Sequence, residues 1–258
     1  MSNSQIRLRP HGQKKYNRFF SRNVLKIILC ILTFCATAGM AIVGRGLMKL
    51  APGTTLNLLN AGESSYEMTH VALYMVLEFC GSLAWPLLAF LTVEGFLHTS
   101  SPDKYILRVG LLALVSEIPY DLATSGVWLF WGQQNILFLV AISLVLLWIL
   151  HSYARTGGNS LFRKVFFVVM AIVSGVLLCV PNSALFIGLI VVLYYFRTQE
   201  RTRNLLAVVL TILDFPAPFS VLFMIWYDEN RCKGTKWFYY AAYPVHLLIL
   251  GLIGVYLL

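Results

Sequence analysis

Val24-Leu25-Lys26-Ile27-Ile28-Leu29-Cys30-Ile31-Leu32-Thr33-Phe34-Cys35-Ala36-Thr37-Ala38-Gly39-Met40-Ala41-Ile42-Val43 carries a single charge, Lys26 near its start. A run of about 20 mostly apolar residues is what a helix needs to cross the hydrocarbon of a bilayer. A long basic leader precedes it, no Ala-x-Ala-like site follows cleanly and more apolar runs come after. It therefore reads as a retained span rather than a cleaved signal. Working outward, comparable runs lie at about 68–91, 105–122, 127–150, 165–180, 184–196, 205–226 and 237–258. The expected fold is all-α, a polytopic helical bundle of about eight transmembrane helices. It has a basic N-terminal segment, residues 1–23, and one membrane domain, residues 24–258.

Composition agrees. Of 258 residues, 59% are hydrophobic and 12% charged, and the mean hydropathy is +0.74. A soluble domain of this size cannot hide so much apolar surface. This excludes a soluble enzyme on a single anchor, a disordered chain and a disulfide scaffold. Cys30, Cys35, Cys80 and Cys179 fall inside apolar runs, and only Cys232 falls in a polar loop. No CxxC or Cys/His ligand spacing occurs, so free thiols and no metal are expected.

The formal net charge of +9 is a topology signal here, not a nucleic-acid footprint. With the N-terminus inside, cytoplasmic segments hold Arg7, Arg9, Lys14, Lys15, Arg18, Arg22, Lys104, Arg108, Arg155, Arg163, Lys164, Arg197, Arg201 and Arg203. The opposite side holds Arg45, Lys49, Arg231, Lys233 and Lys236. The bias places the N-terminus in the cytoplasm. The basic stretch 228–236 is the weak point of that assignment. Pro216 and Pro218 interrupt the seventh run just before it, since proline removes a helix donor and clashes with the preceding turn. That run is either one broken span or a re-entrant hairpin, and the second choice reverses the parity of the last span. The longest loop, about 44–69, holds the turn signal Pro52-Gly53.

Ionisable groups inside a bilayer are costly, so each is a functional candidate. Glu78 lies within the second run. Glu94 and His98, four apart, share a helix face, as do Glu117 and Asp121 around Pro119. Asn135 lies early in the fourth run and Asp214 before the proline break. Tyr243-Pro244 leads to His246, near the middle of the last run. Each also has a structural reading. Glu94 and His98 fit an interfacial pair, Asp121 a solvated helix end, Asn135 a helix–helix hydrogen bond and Asp214 a cap or turn. Trp128, Trp226 and Trp237 fit an aromatic belt. His246 is the best candidate for proton transfer, because imidazole titrates near neutrality. No Walker loop, GxGxxG or GxSxG is placed where it would work.

Longer strings are more specific. Trp85-Pro86-Leu87-Leu88-Ala89-Phe90-Leu91-Thr92-Val93-Glu94-Gly95-Phe96-Leu97-His98-Thr99 is followed by Lys104-Tyr105-Ile106-Leu107-Arg108 and Ser116-Glu117-Ile118-Pro119-Tyr120-Asp121. Gln134-Asn135-Ile136-Leu137-Phe138, Trp226-Tyr227-Asp228-Glu229-Asn230-Arg231-Cys232-Lys233-Gly234 and Tyr243-Pro244-Val245-His246-Leu247-Leu248 complete the set. In this order, over about 23–258, the strings resemble the TraX family of membrane acetylases. The resemblance implies a membrane-embedded acyltransferase of the bacterial inner membrane. The donor it implies is cytoplasmic acetyl-CoA. The acceptor would be membrane-associated: a peptide amine such as pilin, a glycan or a lipid. It implies catalytic roles for His246, Glu117 and Asp121. His246 would be the base, and the two acids would orient the acceptor. It implies substrate contacts for Asn135, as oxyanion donor, and for Glu94, His98 and Tyr243, and Glu78, read from its place within the second run, is a further substrate-contact candidate. Coenzyme A phosphates would meet Lys104 and Arg108.

Three positions depart from the family pattern. Ala36-Thr37 stands where an Asp-His pair is usual. Gly81-Ser82 replaces Gly-Arg, and Pro181-Asn182-Ser183-Ala184 replaces an Asp-Tyr-Gly string. Glu78, one turn from Ser82, would supply a carboxylate near the missing first-span pair. Two other functions therefore stay open: an inactive relative with a binding or assembly role, and a small transporter built around the broken seventh span.

Overall fold

The computed structural model describes residues 19–54, 66–155, 160–228 and 236–257; the side chains of Arg155 and residues 236–239 fall outside it. Arg7, Arg9, Lys14, Lys15, Arg18, Arg231, Cys232 and Lys233 lie outside the described residues. Within them the chain is a helical bundle. It comprises α1 (Arg22–Ala38), continued by a π-helix (Gly39–Leu47), α2 (Met68–Leu97), α3 (Pro102–Ser125) and α4 (Ile136–Arg155). These are followed by α5 (Leu161–Leu177), α6 (Ser183–Tyr195), α7 (Glu200–Thr211), α8 (Ser220–Ile225) and α9 (Lys236–Tyr256). Three stretches, Arg22–Leu47, Met68–Leu97 and Ile136–Ala154, are long and apolar enough to cross a membrane by length and composition, and Ser183–Tyr195 and Tyr240–Tyr256 are shorter apolar helices. The main core is built from α2, α3, α4 and α6 around Leu87, Leu139, Leu144, Leu147 and Ile187. Apolar side chains such as Phe162, Val165, Leu111 and Leu114 face outward, as a lipid-contacting surface requires.

The bundle has two distinguishable ends. At the first, a parallel pairing joins β1 (Phe20–Ser21) to β2 (Tyr227–Asp228). Ser21 caps α1 by accepting from the Val24 N–H, and His151 of α4 meets Tyr194 of α6. At the other end, Arg45 donates to the carbonyls of Thr124 and Leu50. Gly126, with φ +70, closes α3 there beside Val255 of α9.

Each expected apolar run contains helix, with two corrections. The fourth begins at Ile136, not at 127. Residues 127–135 form a connection instead. Asp121 accepts the Phe130 N–H at 2.8 Å and Glu117 accepts the Asn135 N–H at 3.3 Å. Asn135 then caps α4 by accepting from the Leu137 N–H at 2.9 Å. Backbone donors committed to carboxylates leave no helical ladder there.

The seventh run takes the hairpin alternative. α7 starts at the first end, where Arg203 lies over the Phe90 ring. It turns at Asp214-Phe215-Pro216 and returns through α8 to Tyr227, which pairs with Phe20. The turn is pinned by Asp214, which accepts from Trp85 Nε1 at 2.6 Å, Asn182 Nδ2 at 3.2 Å and Ser82 Oγ at 3.3 Å. Asp214 is therefore a hub between α2 and the α5–α6 turn rather than a cap. Because the hairpin returns, α9 starts at the first end and finishes at the other, and the last helix runs opposite to the eight-crossing expectation. Of the expected belt residues, Trp128 and Trp226 are exposed; the Trp237 side chain lies outside the description.

Candidate active site

A cavity of about 480 Å³ opens at the first end and runs into the bundle between α1, α2, α3, α4 and α9. Its volume lies in the range of small-molecule and cofactor sites. Arg22, Lys26, His98, Thr99 and Arg108 line its mouth. Its throat is mostly apolar, with Leu29, Leu88, Leu91, Val109, Leu112 and Val140. Thr33, Phe34, Tyr243 and His246 line its depth. An anionic head at the mouth and an uncharged chain below would match this gradient.

The geometry of His246 assigns its tautomer. Nδ1 lies 2.7 Å from the Ala242 carbonyl, which only accepts, so Nδ1 carries the hydrogen. In the neutral ring Nε2 then holds a lone pair. It sits 3.3 Å from Thr37 Oγ1. The Thr37 hydroxyl has one hydrogen, and its shorter contact, 2.8 Å, is to the Thr33 carbonyl. The Nε2 lone pair is thus left for a proton from elsewhere. Phe34 and Tyr243 pack against the ring at 6.2 and 5.6 Å between centroids. Thr37 occupies one of the two positions where the family pattern has Asp-His, so that departure lies against the candidate base.

Glu94 organises the mouth from behind. It accepts from Arg22 at 3.5 Å and from the Tyr227 hydroxyl at 3.2 Å, and lies 3.6 Å from His98 Nδ1. That nitrogen donates to the Glu94 carbonyl at 2.8 Å. Burial first, and then the charge of Glu94, push the Tyr227 phenol up to about 12. Tyr227 is therefore a donor at neutral pH. It ties the returning hairpin to the entrance.

The remaining candidates do not line the cavity. Asn135 is fully buried, and both hydrogens of its amide are used, one on the Ala113 carbonyl and one on Glu117. It joins α3 to α4 and has no donor left for an oxyanion. Glu117 and Asp121 hold the 127–135 connection as described above. Glu78 lies in the α1–α2 seam: a Cβ placed on Gly81 would stand 3.2 Å from Ala36 Cβ and 3.8 Å from Glu78 Oε2. Glu78 and Ala36 therefore both border Gly81. Its Oε1 is buried without a partner. Sequence reasoning passed over Arg22, Lys26, Thr33 and Phe34. The two cations read as topology residues and the other two as ordinary span residues. Only helix packing shows that they share one cavity. Lys104, a candidate for phosphates, does not line it, whereas Arg108 does.

Comparison with known proteins gives one family and a named relative. The family model described as TraX protein matches residues 65–254. That stretch contains Glu78, Glu94, His98, Glu117, Asp121, Asn135, Tyr243 and His246 and leaves out α1, which bears the Ala36-Thr37 departure. The chain is also similar to a probable fimbrial assembly protein FimC, serogroup H1, of Dichelobacter nodosus. The two are 25% identical over 206 residues, covering 69% of this chain and 82% of the relative. No solved structure matches.

Proposed function

We propose acyl transfer within the membrane for this chain, which belongs to the TraX family. The observation that carries the reading is the cavity that joins a cationic mouth to His246, whose Nδ1 is committed to the Ala242 carbonyl and whose Nε2 faces Thr37. Acetyl-CoA is the proposed donor. Arg22, Lys26 and Arg108 suit its phosphates, and the apolar throat suits its uncharged arm. The acceptor amine or hydroxyl attacks the thioester carbonyl while Nε2 takes its proton. The C–S bond breaks, and the thiolate that leaves takes up a proton. Water exclusion by Phe34 and the throat residues disfavours hydrolysis. Phe34, Thr33 and Thr37 position the ring. The relative's fimbrial assembly name supports an acceptor among fimbrial or pilin subunits. A glycan or lipid group has the same nucleophile chemistry. Labelled acetyl-CoA given to membranes with and without the chain tests the reading. The expected result is label in a membrane-associated acceptor only when the chain is present, and equal label in both overturns it.

A second reading, an inactive relative that binds or assembles fimbrial components, rests on Thr37 facing His246 where the family pattern has an acid–base pair. It predicts no label but a retained assembly phenotype.

The proposed site is the bacterial inner membrane, with the first end of the bundle in the cytoplasm. The hairpin supports this orientation. The start of α9 shares an end with Ser21, so the sequence joining Tyr227–Asp228 to Lys236 counts with the N-terminal side. Seventeen of the 20 basic residues then fall on that side, against Arg45 and Lys49 opposite. The bias is stronger than with eight crossings. Tags at the two termini are therefore expected on opposite faces, the N-terminal one cytoplasmic. Protease accessibility in inverted vesicles checks this, and both tags on one face would refute the hairpin parity.

A further inference from the structure

Among the described residues that line the cavity none is acidic, while Arg22, Lys26 and Arg108 are cationic. The two arginines reach the mouth from different helices, α1 and α3, and each keeps donors in hand. Arg22 is braced from behind: Nη2 donates to Glu94 at 3.5 Å, and the guanidinium also meets the Tyr227 hydroxyl. Its Nε–H is buried with no hydrogen-bond partner. A buried orphan N–H on a held guanidinium calls for an acceptor. Arg108 spends Nε on the Lys104 carbonyl of its own helix at 3.0 Å, which leaves its two Nη groups. Tyr105 stands between them in the same cavity wall. A Cβ on Gly95 would lie 2.9 Å from the Tyr105 hydroxyl, so that hydroxyl rests against α2 one residue beyond Glu94. Tyr105 is within electrostatic reach of both Arg22 and Arg108. The packing of α1, α2 and α3 thus gathers two guanidinia and a phenol at one place in the mouth.

Guanidinium forks match the paired oxygens of a phosphate. A phosphomonoester carries close to two negative charges at neutral pH, which two arginines balance, whereas a diester carries one. We propose that Arg22, Arg108 and the Tyr105 hydroxyl form a seat for a phosphomonoester dianion, occupied in acyl transfer by the 3′-phosphate of coenzyme A. The seat then selects CoA over its 3′-dephospho form, and Glu94 is a positioning residue that holds Arg22 in place. The choice of CoA as occupant rests on the acyl-transfer reading, and the seat does not. Phosphatidate, a lipid with a phosphomonoester head, offers the same group.

The test is equilibrium binding to the full chain in detergent, with no acceptor present, so that binding is read apart from transfer. The probes are CoA, 3′-dephospho-CoA and mixed micelles containing phosphatidate or the diester phosphatidylglycerol. CoA is expected to bind on the order of 10²-fold tighter than 3′-dephospho-CoA. R108Q changes an exposed side chain, and Y105F removes only a hydroxyl. Each is expected to narrow that ratio by about threefold or more, by weakening CoA and leaving 3′-dephospho-CoA unchanged. A merely structural role would weaken both alike. Equal Kd values for the two nucleotides in the wild type overturn the proposal and leave the acyl-transfer reading standing, as does a ratio of wild-type size in both variants. If CoA does not bind, acetyl-CoA is removed as donor and the 3′-phosphate assignment falls with it. A preference for phosphatidate over phosphatidylglycerol that R108Q abolishes then assigns the seat to lipid, and no such preference overturns the seat as well. If Y105F does not fold, R108Q decides alone.

Discussion

His246→Ala is expected to lower acetyl incorporation by about 10²–10⁴-fold, the usual contribution of a positioned general base. The fold should survive the change. The ring is half-buried at a cavity wall, and its hydrogen bond to Ala242 lies within its own helix. Truncation therefore leaves no partner from another element orphaned except the Thr37 hydroxyl, which keeps the Thr33 carbonyl. His246→Gln is the sharper companion. It preserves the volume and a donor toward Ala242, but its amide cannot take a proton at neutral pH. Both variants should melt close to wild type and both should be inactive. The measurement is labelled acetyl transferred from acetyl-CoA to the membrane fraction, normalised to folded protein. Wild-type incorporation by either variant removes His246 from the mechanism, whereas absence of label already in the wild type is the outcome the inactive-relative reading predicts.

The same geometry explains why the missing first-span pair is not simply restored. An aspartate at position 36 would enter the α1–α2 seam next to Gly81, where Glu78 Oε2 already lies. Two carboxylates in that seam would repel each other. Thr37 is different. It faces Nε2, and a histidine there would meet a second imidazole inside the cavity wall. The departures at Ala36 and Thr37 thus fall in two separate packing environments, one beside Gly81 and one facing His246.

How far the sequence reached depends on the kind of interaction that decides each feature. The helical runs were legible because about 20 apolar residues have few alternatives in a bilayer. The start of α4 was not. Val127-Trp128-Leu129-Phe130-Trp131 has the composition of a span, but its backbone is tied to carboxylates on α3. The direction of the 205–226 run was undecidable from Pro216 and Pro218, which mark a break but not a heading. Asp214 sets the heading through Ser82, Trp85 and Asn182, which come from two other elements. His246 drew attention in the sequence because a mid-span imidazole has few cheap explanations, and with Tyr243 it lines the cavity. Asn135 was assigned a free amide that the packing consumes. Arg22 and Lys26 looked like any positive-inside residues until α1 was packed beside α2 and α9.

Gly254→Ala is expected to damage both stability and activity, because it acts on the helix that carries His246. A Cβ at Gly254 would overlap the Ala41 carbonyl oxygen and lie 2.7 Å from its carbon, and one at Gly251 would lie 2.9 Å from the Ala123 nitrogen. These neighbours are backbone atoms, so no side-chain rotation relieves the clash. α9 must move away from the π-helix and α3. Overpacking of this kind costs about 1–3 kcal/mol or more. His246 lies about two turns away on the same helix, and its alignment with Thr37 and the cavity depends on the position of α9. A misplacement of about 1 Å can cost on the order of 10²-fold in rate. Gly110→Ala is the control. Nothing lies within 4 Å of a Cβ there, and alanine in a helix interior is favoured over glycine by about 0.5–1 kcal/mol. The Tm should fall in Gly254→Ala and hold or rise slightly in Gly110→Ala, with acetyl incorporation falling only in Gly254→Ala. Equal behaviour of the two variants would mean that the close seat of α9 does not set the geometry of His246.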